Sequence, residues 1–218
     1  FEMIEMSLAF AEAGLAPEAA RLLDAVCVEA VPESQCGPLP LYYLAYYASL
    51  AGDAEAAAEW LKQASQMHRD YVFPSRPETL EVLRFAVRER PDDACAHLYL
   101  GNLYAHLGRV TEAAAHWRKA VDLDASLSVA HRNLGLYAWA QEQNLAKAER
   151  AYRQAIAARP KDQTLYRDLG EILLEQGRRP EAIELLESTP GDPLKRAEII
   201  VLLAQLYCDE RQFDDAIG

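Results

Sequence analysis

No CxxC pair occurs among the 218 residues, whose four cysteines, Cys27, Cys36, Cys95 and Cys208, are scattered. That argues against a zinc ribbon or a redox couple and leaves free structural thiols as the reading. No apolar run reaches membrane length, because the longest, around Leu41–Leu50 and Ile199–Leu206, are too short and too interrupted to span a bilayer. Basic residues are scarce, with 22 Lys and Arg against 34 Asp and Glu and a net charge of −12. Nucleic acids and anionic membranes select clustered Lys and Arg, so neither is expected as a partner. HExxH, GxSxG, a P-loop and a GxGxxG turn between strand and helix are all missing. His68, His97, His106, His116 and His131 form no HxH and no pairing with a cysteine at ligand spacing. No catalytic residue, no cofactor and no metal site is therefore expected, and the chain reads as non-enzymatic.

What is present describes a helical protein. Hydrophobic residues make up 51% and charged residues 26%, which excludes wholesale disorder. Ala and Leu together supply nearly a third of the chain, and both lose little on entering a helix. The chain starts at Phe1 without a methionine and stops at Gly218 inside a helical pattern, so a piece of something longer is expected. The expected compartment is the cytoplasm.

Internal repetition decides the architecture. Gly101, Gly135, Gly170 and Ala204 recur at spacings of 34, 35 and 34, and Ala113, Ala148, Ala182 and Ala216 at 35, 34 and 34. Around them the first copy reads His97-x-x-Leu100-Gly101-x-x-Tyr104, Gly108, Ala113-x-x-x-Trp117 and Ala120. The next reads His131-x-x-Leu134-Gly135, Ala148-x-x-x-Tyr152 and Ala155, and a third Tyr166-x-x-Leu169-Gly170, Gly177 and Ala182-x-x-x-Leu186. A last copy, Ile200-x-x-Leu203-Ala204-x-x-Tyr207 with Phe213 and Ala216, is cut off before a second helix is complete. Upstream lie Leu41-x-x-Leu44-Ala45 with Ala57-x-x-x-Leu61, and Met3-x-x-Met6-Ser7 with Ala19-x-x-x-Leu23. Thr79-x-x-x-Leu83 with Ala86 and Pro91 matches only the second half of a copy, its first helix replaced by Arg69–Pro77, where Pro74 and Pro77 resist helix.

These residues resemble the tetratricopeptide repeat, a helix–turn–helix unit about 34 residues long. The resemblance implies an all-α fold, a right-handed superhelical solenoid in which each hairpin buries its apolar face against its neighbours. One domain, residues 1–218, is expected, with repeats at about 1–30, 38–68, 94–127, 128–162 and 163–190, a half-repeat at 78–93 and a truncated repeat at 197–218. Small residues at the two recurrent positions let paired helices approach closely, while Leu100, Tyr104 and Trp117 fill the space beside them. Gly108 and Gly177 fit helix-ending turns, Pro91 and Pro160 close second helices, and Pro17 and Pro180 fit first turns. Asn144-Leu145 marks a longer turn at the one-residue insertion. His97 and His131 take a slot usually given to a bulky aromatic and read as half-buried packing residues.

In this family the first helix of each pair lines a concave groove. Carried over residue by residue, the resemblance places a peptide groove at Tyr43, Tyr46, Tyr99, Asn102, His106, Arg132, Asn133, Leu136 and Arg167. Asn102 and Asn133 match the asparagines of a clamp for a chaperone's C-terminal carboxylate, but Leu98, Thr164 and Asp168 stand where that clamp has basic residues, so another peptide or protein segment is the expectation. The run Leu41–Tyr47 holds four tyrosines that read either as packing between repeats or as a contact surface. The stretch Tyr71–Arg76 with Pro91-Asp92-Asp93 and His131–Gly135 is similar to the repeat portion of large bacterial proteins that carry an N-terminal β-rich domain of unknown function. That likeness implies the alternative role, an accessory region of a larger carbohydrate-active or carbohydrate-binding protein. The expected partner is a protein, a peptide or a sister domain. A homodimer through the exposed apolar side of Ile199–Tyr207 is a third expectation.

Overall fold

The structure, a computed structural model, describes residues 2–29, 37–67, 72–191 and 197–217. Cys36, His68 and Tyr71, and the side chains of Cys27, Phe213 and Ala216, fall outside the described residues. The described helices are α1 (Glu2–Glu12), α2 (Ala16–Glu29), α3 (Leu39–Leu50), α4 (Ala54–Gln66), α5 (Thr79–Glu89), α6 (Ala94–His106), α7 (Val110–Leu123), α8 (Ser128–Ala140), α9 (Leu145–Ala158), α10 (Gln163–Glu175), α11 (Arg179–Glu187) and α12 (Ala197–Ile217). Among the described residues there is no strand. The fold is all-α and built of helical hairpins. The chain divides into two compact units, Phe1–Asp124 and Ala125–Gly218.

Three hairpins, α6–α7, α8–α9 and α10–α11, close through the glycines that recur in the sequence. A Cβ placed on Gly101 of α6 would lie 2.6 Å from the Trp117 indole of α7. One on Gly135 of α8 would lie 2.6 Å from the Tyr152 ring of α9, and one on Gly170 of α10 would lie 2.9 Å from a Leu186 methyl of α11. All three distances are below van der Waals contact, so only a bare Cα lets the large residue lie flat against the facing backbone. Ala113, Ala148 and Ala182 are the matching small residues on the second helices, each without solvent exposure. In the second unit the core around this crossing gathers Ala138, Leu165, Leu169, Ile172 and Leu173.

The turns between paired helices follow from left-handed backbone. Gly108 and Gly177 sit at φ +76° and +74°, a region open to glycine at little cost. The α8–α9 turn uses Gln143 at φ +50° instead, and Asn144 then caps α9 by accepting from the Lys147 N–H at 2.9 Å. The final copy departs from the expected hairpin. Arg211 stands where Gly177 stands in the preceding copy, and α12 runs unbroken from Ala197 to Ile217.

The slot occupied by His97, His131 and Tyr166 is a tether as well as a packing position. His97 Nε2 donates to the Pro91 carbonyl at 3.3 Å, His131 Nε2 to the Ala125 carbonyl at 3.0 Å, and the Tyr166 hydroxyl to the Pro160 carbonyl at 2.9 Å. Each partner lies six residues upstream, in the turn that precedes the helix, so one side chain per repeat satisfies a loop carbonyl. Both imidazoles are buried, deeper than the half-buried state expected of them.

The glycine crossings generate a graded expectation. In Gly135→Ala the new methyl meets a planar ring with no free end to swing aside, and overpacking of this kind costs about 1–3 kcal/mol. That exceeds the roughly 1 kcal/mol that alanine gains over glycine in a helix. Thermal melts should show a lower Tm for Gly135→Ala than for the parent, and a much smaller change for Gly170→Ala, where Leu186 can rotate away. The reverse ranking would contradict the close-crossing account.

Candidate functional site

In the first unit the surface expected to form a groove is filled by the chain itself. Tyr42, Tyr43, Tyr47 and Tyr99 have no solvent exposure. Tyr42 donates to Asp93 Oδ2 at 2.9 Å and meets the Tyr99 ring edge-on at 6.2 Å, joining α3 directly to α6. Asp93 is itself buried and uses Oδ1 to cap α6 through the Cys95 and Ala96 N–H groups, both at 3.0 Å. The Tyr43 hydroxyl lies 2.7 Å from Thr79 Oγ1 of α5, and Tyr46 packs edge-on against Phe85 of α5 at 5.7 Å. The tyrosine run is therefore packing among α3, α5 and α6. Tyr43 and Tyr99 are interior rather than groove-lining, Tyr46 keeps partial exposure, and His106 is exposed at the end of α6.

An extended strap, residues 72–76, crosses the same face. Asn102 Nδ2 donates to the Val72 carbonyl at 3.0 Å while Asn102 Oδ1 accepts from Trp117 Nε1 at 3.0 Å. At the other end the Arg76 guanidinium donates to Glu5 of α1. That bond and the charge of Arg76 hold the Glu5 carboxyl below the usual carboxylate range. Pro74 is buried between the two anchors, while Phe73 is exposed. Glu5, Tyr43 and Tyr99 occupy the same position of their three copies, so the strap runs over first helices from α6 back to α1. Asn102, expected to greet a ligand, is buried and committed inside the protein.

In the second unit a buried carboxylate organises the first helices. Asp168 of α10 is almost fully enclosed. It accepts from Arg167 Nε at 3.1 Å and Nη2 at 2.6 Å and from the Tyr152 hydroxyl at 3.3 Å, and Arg132 Nε of α8 approaches to 3.6 Å. Burial, then the Asp168 charge, push the Tyr152 phenol up, so it remains a donor across the neutral range. Arg167 also pairs with Glu198 of α12. Arg132 Nε has no hydrogen-bond partner, although both arginine side chains keep about a third of their exposure, 34% and 31%. Leu136, one turn beyond Arg132, is 47% exposed, and Asn133 is half-buried. Arg132, Leu136 and Arg167 thus share an open surface. Asp168 was legible only as a departure from a clamp pattern. Its repeat position is shared by buried Tyr43 and Tyr99 but also by exposed Glu5 and half-buried Asn133, so no local signal marks it as interior.

Two histidines pair beside the strap's anchor helix. His97 Nδ1 and His116 Nδ1 are 2.9 Å apart, with stacked rings, and His116 stacks in turn on Tyr104 at 5.4 Å. Because the Pro91 carbonyl can only accept, His97 carries its proton on Nε2, and His116 must donate from Nδ1. Burial and the neighbouring His97 hold His116 down to about 4. Among the described residues no group of three or more His, Cys, Asp or Glu is placed to hold a metal ion, and no helix is long and apolar enough to cross a membrane.

A family profile described as Tetratricopeptide repeat matches residues 78–128 and 132–193, and a second with the same description matches residues 38–63. The chain belongs to the tetratricopeptide repeat family. This tetratricopeptide protein is 31% identical over 146 residues, 61% of its length, to the human Protein O-mannosyl-transferase TMTC3, and 28% identical over 141 residues, 58% of its length, to the Mus musculus protein. It spans only 16% and 15% of those relatives. Its fold is similar to that of TTC0263, a thermophilic TPR protein of Thermus thermophilus, with a TM-score of 0.50, 19% identity and coverage of 95% of this chain and 98% of that one. A MamA crystal structure gives 0.51 at 20% identity over 88% and 94% of the two chains. Pseudomonas aeruginosa PilF gives 0.51 at 15% identity over 96% and 85%.

Two outcomes follow from these contacts. Asn102→Ala leaves the buried Trp117 N–H without its partner, and a buried group left unpaired costs about 1–3 kcal/mol, so denaturant unfolding should show a clear loss of stability rather than a silent surface change. For His116 the folded protein resists a proton that the unfolded chain takes up near the ordinary value of 6.5. The unfolded state binds more protons between that value and about 4, so stability falls on acidification through this window. His116→Gln should flatten the Tm-versus-pH curve there. A mutant curve parallel to the parent's would refute the assignment.

Proposed function

We propose that this tetratricopeptide protein is a non-enzymatic interaction scaffold that holds a peptide or protein segment on a first-helix face. As a family member it is a protein–protein interaction scaffold in the general sense. The finer reading rests on one observation: Leu136 stands exposed beside two partly exposed arginines, Arg132 and Arg167, on adjacent first helices of the second unit.

The chemistry of that surface describes its ligand. An extended segment would set an apolar side chain against Leu136, recovering about 25 cal/mol for each Å² removed from water. Its carbonyls or an acidic side chain would meet the outward N–H groups of the arginines, which present a planar, multiply donating fork. Asp168 holds Arg167 through Nε and Nη2 and Glu198 pairs with its Nη1, whereas Arg132 meets Asp168 only through Nε, so Arg132 is the freer of the two. Glu171, one turn beyond Arg167, is raised by burial and narrows the choice of segment to one that does not crowd it with a second carboxylate. The likeness to the O-mannosyl-transferases lies in repeats that make up a small part of those chains, and it lends the carbohydrate-accessory reading no residue of its own.

A peptide-display library panned against the protein tests this directly. Enriched sequences should lose at least ten-fold in affinity on Leu136→Glu and on Arg132→Ala, with Tm changed by no more than a few degrees. Enriched peptides indifferent to both substitutions would place the binding surface elsewhere.

A further inference from the structure

The strap of the first unit is held the way a bound peptide would be held. Its chain is extended, it crosses first helices, and its anchors are a side-chain amide on a main-chain carbonyl at one end and an ion pair at the other. Pro74 lies buried between them. We propose that residues 72–76 are a built-in occupant of a peptide site made by Asn102, Tyr43 and Glu5, and that an extended partner segment carrying a free carbonyl, a proline and a cation in the same order displaces it. This rests on the reading of first-helix faces as segment-holding surfaces, applied to a different unit and different residues.

The outer end of the strap is its weaker anchor, and that end makes the exchange feasible. The Arg76–Glu5 anchor is solvent-accessible on both sides, with the two side chains 30% and 54% exposed, and exposed ion pairs contribute little. Phe73, at the centre of the strap, leaves about half of its surface in water, being 53% exposed. Against that weak hold stands the tether, which keeps the strap at a high effective concentration over its own site. An incoming segment therefore binds with an affinity reduced by the fraction of molecules whose strap is lifted, and anything that loosens the strap raises the apparent affinity by the same factor. Asn102 itself stays in position when the strap leaves, because Trp117 Nε1 still donates to it. The site is thus preformed under its occupant.

The probe is a fluorescein-labelled peptide of the sequence Val72–Glu78, titrated by anisotropy against the full 218-residue chain. Arg76→Gln frees one end of the strap while leaving Glu5 and Asn102 intact, and Pro74→Gly loosens it by a second route. Both variants should bind the probe at least ten-fold more tightly than the parent. Adding Glu5→Gln to Arg76→Gln should return the affinity to the parent level or below, because the probe's arginine then has no partner. Far-UV circular dichroism confirms that each variant keeps its helices. Equal binding by the parent and both loosened variants, or no binding by any of them with helicity intact, would overturn the proposal and make the strap a fixed part of the fold. Arg132 and Leu136 are untouched throughout, so that result leaves the reading of the second unit standing.

Discussion

The structure depends on the absence of a side chain. Where α6 meets α7, α8 meets α9 and α10 meets α11, a glycine backbone lies against Trp117, Tyr152 or Leu186 with no room for a Cβ between them. Close backbone approach with a large residue laid across it sets the crossing of each hairpin, and the alanines opposite keep the second helix equally near. Later features use that geometry. Trp117 can both cover Gly101 and donate to Asn102 because its indole lies flat on α6, and Tyr152 covers Gly135 while its hydroxyl reaches on to Asp168.

Polar groups inside such an apolar stack are costly unless paired, and here they are organised in small closed sets. In the first unit, Asp93 satisfies both the α6 terminus and Tyr42, and Asn102 joins Trp117 to the strap. The second unit gathers Tyr152, Arg132 and Arg167 around Asp168. The two sets differ in what they leave over. Asn102 spends its amide on the chain's own segment, whereas the arginine side chains around Asp168 keep 34% and 31% exposure. One unit therefore covers its first-helix face and the other keeps part of it open.

Much of this was legible from spacing. A period of 34 or 35 residues in two small-residue series identifies the hairpin, its crossing and the large residues that must lie beside it, because close packing admits few alternatives at those positions. The irregular stretch before α5 was legible from Pro74 and Pro77. The functional surface was not. Tyr43, Tyr99 and Asn102 occupy positions that face a groove when neighbouring copies are regular, and here a half-repeat and an extended strap lie over them. A missing first helix changes what covers its neighbours, and that change is invisible in the neighbours' own residues. The last copy misled for a related reason: its period continues, but Arg211 in place of glycine lets the helix run on.

Sequence by itself determined the class of fold and the identity of the residues at the glycine crossings, since these follow from local periodicity and side-chain size, both of which act within a few dozen residues. Tertiary structure alone decided which of the repeat-matched residues are open. Exposure is a property of what folds back over a surface. Arg76 meeting Glu5 across 71 positions, or Asp168 drawing in Arg132 from the preceding hairpin, has no counterpart in any local pattern.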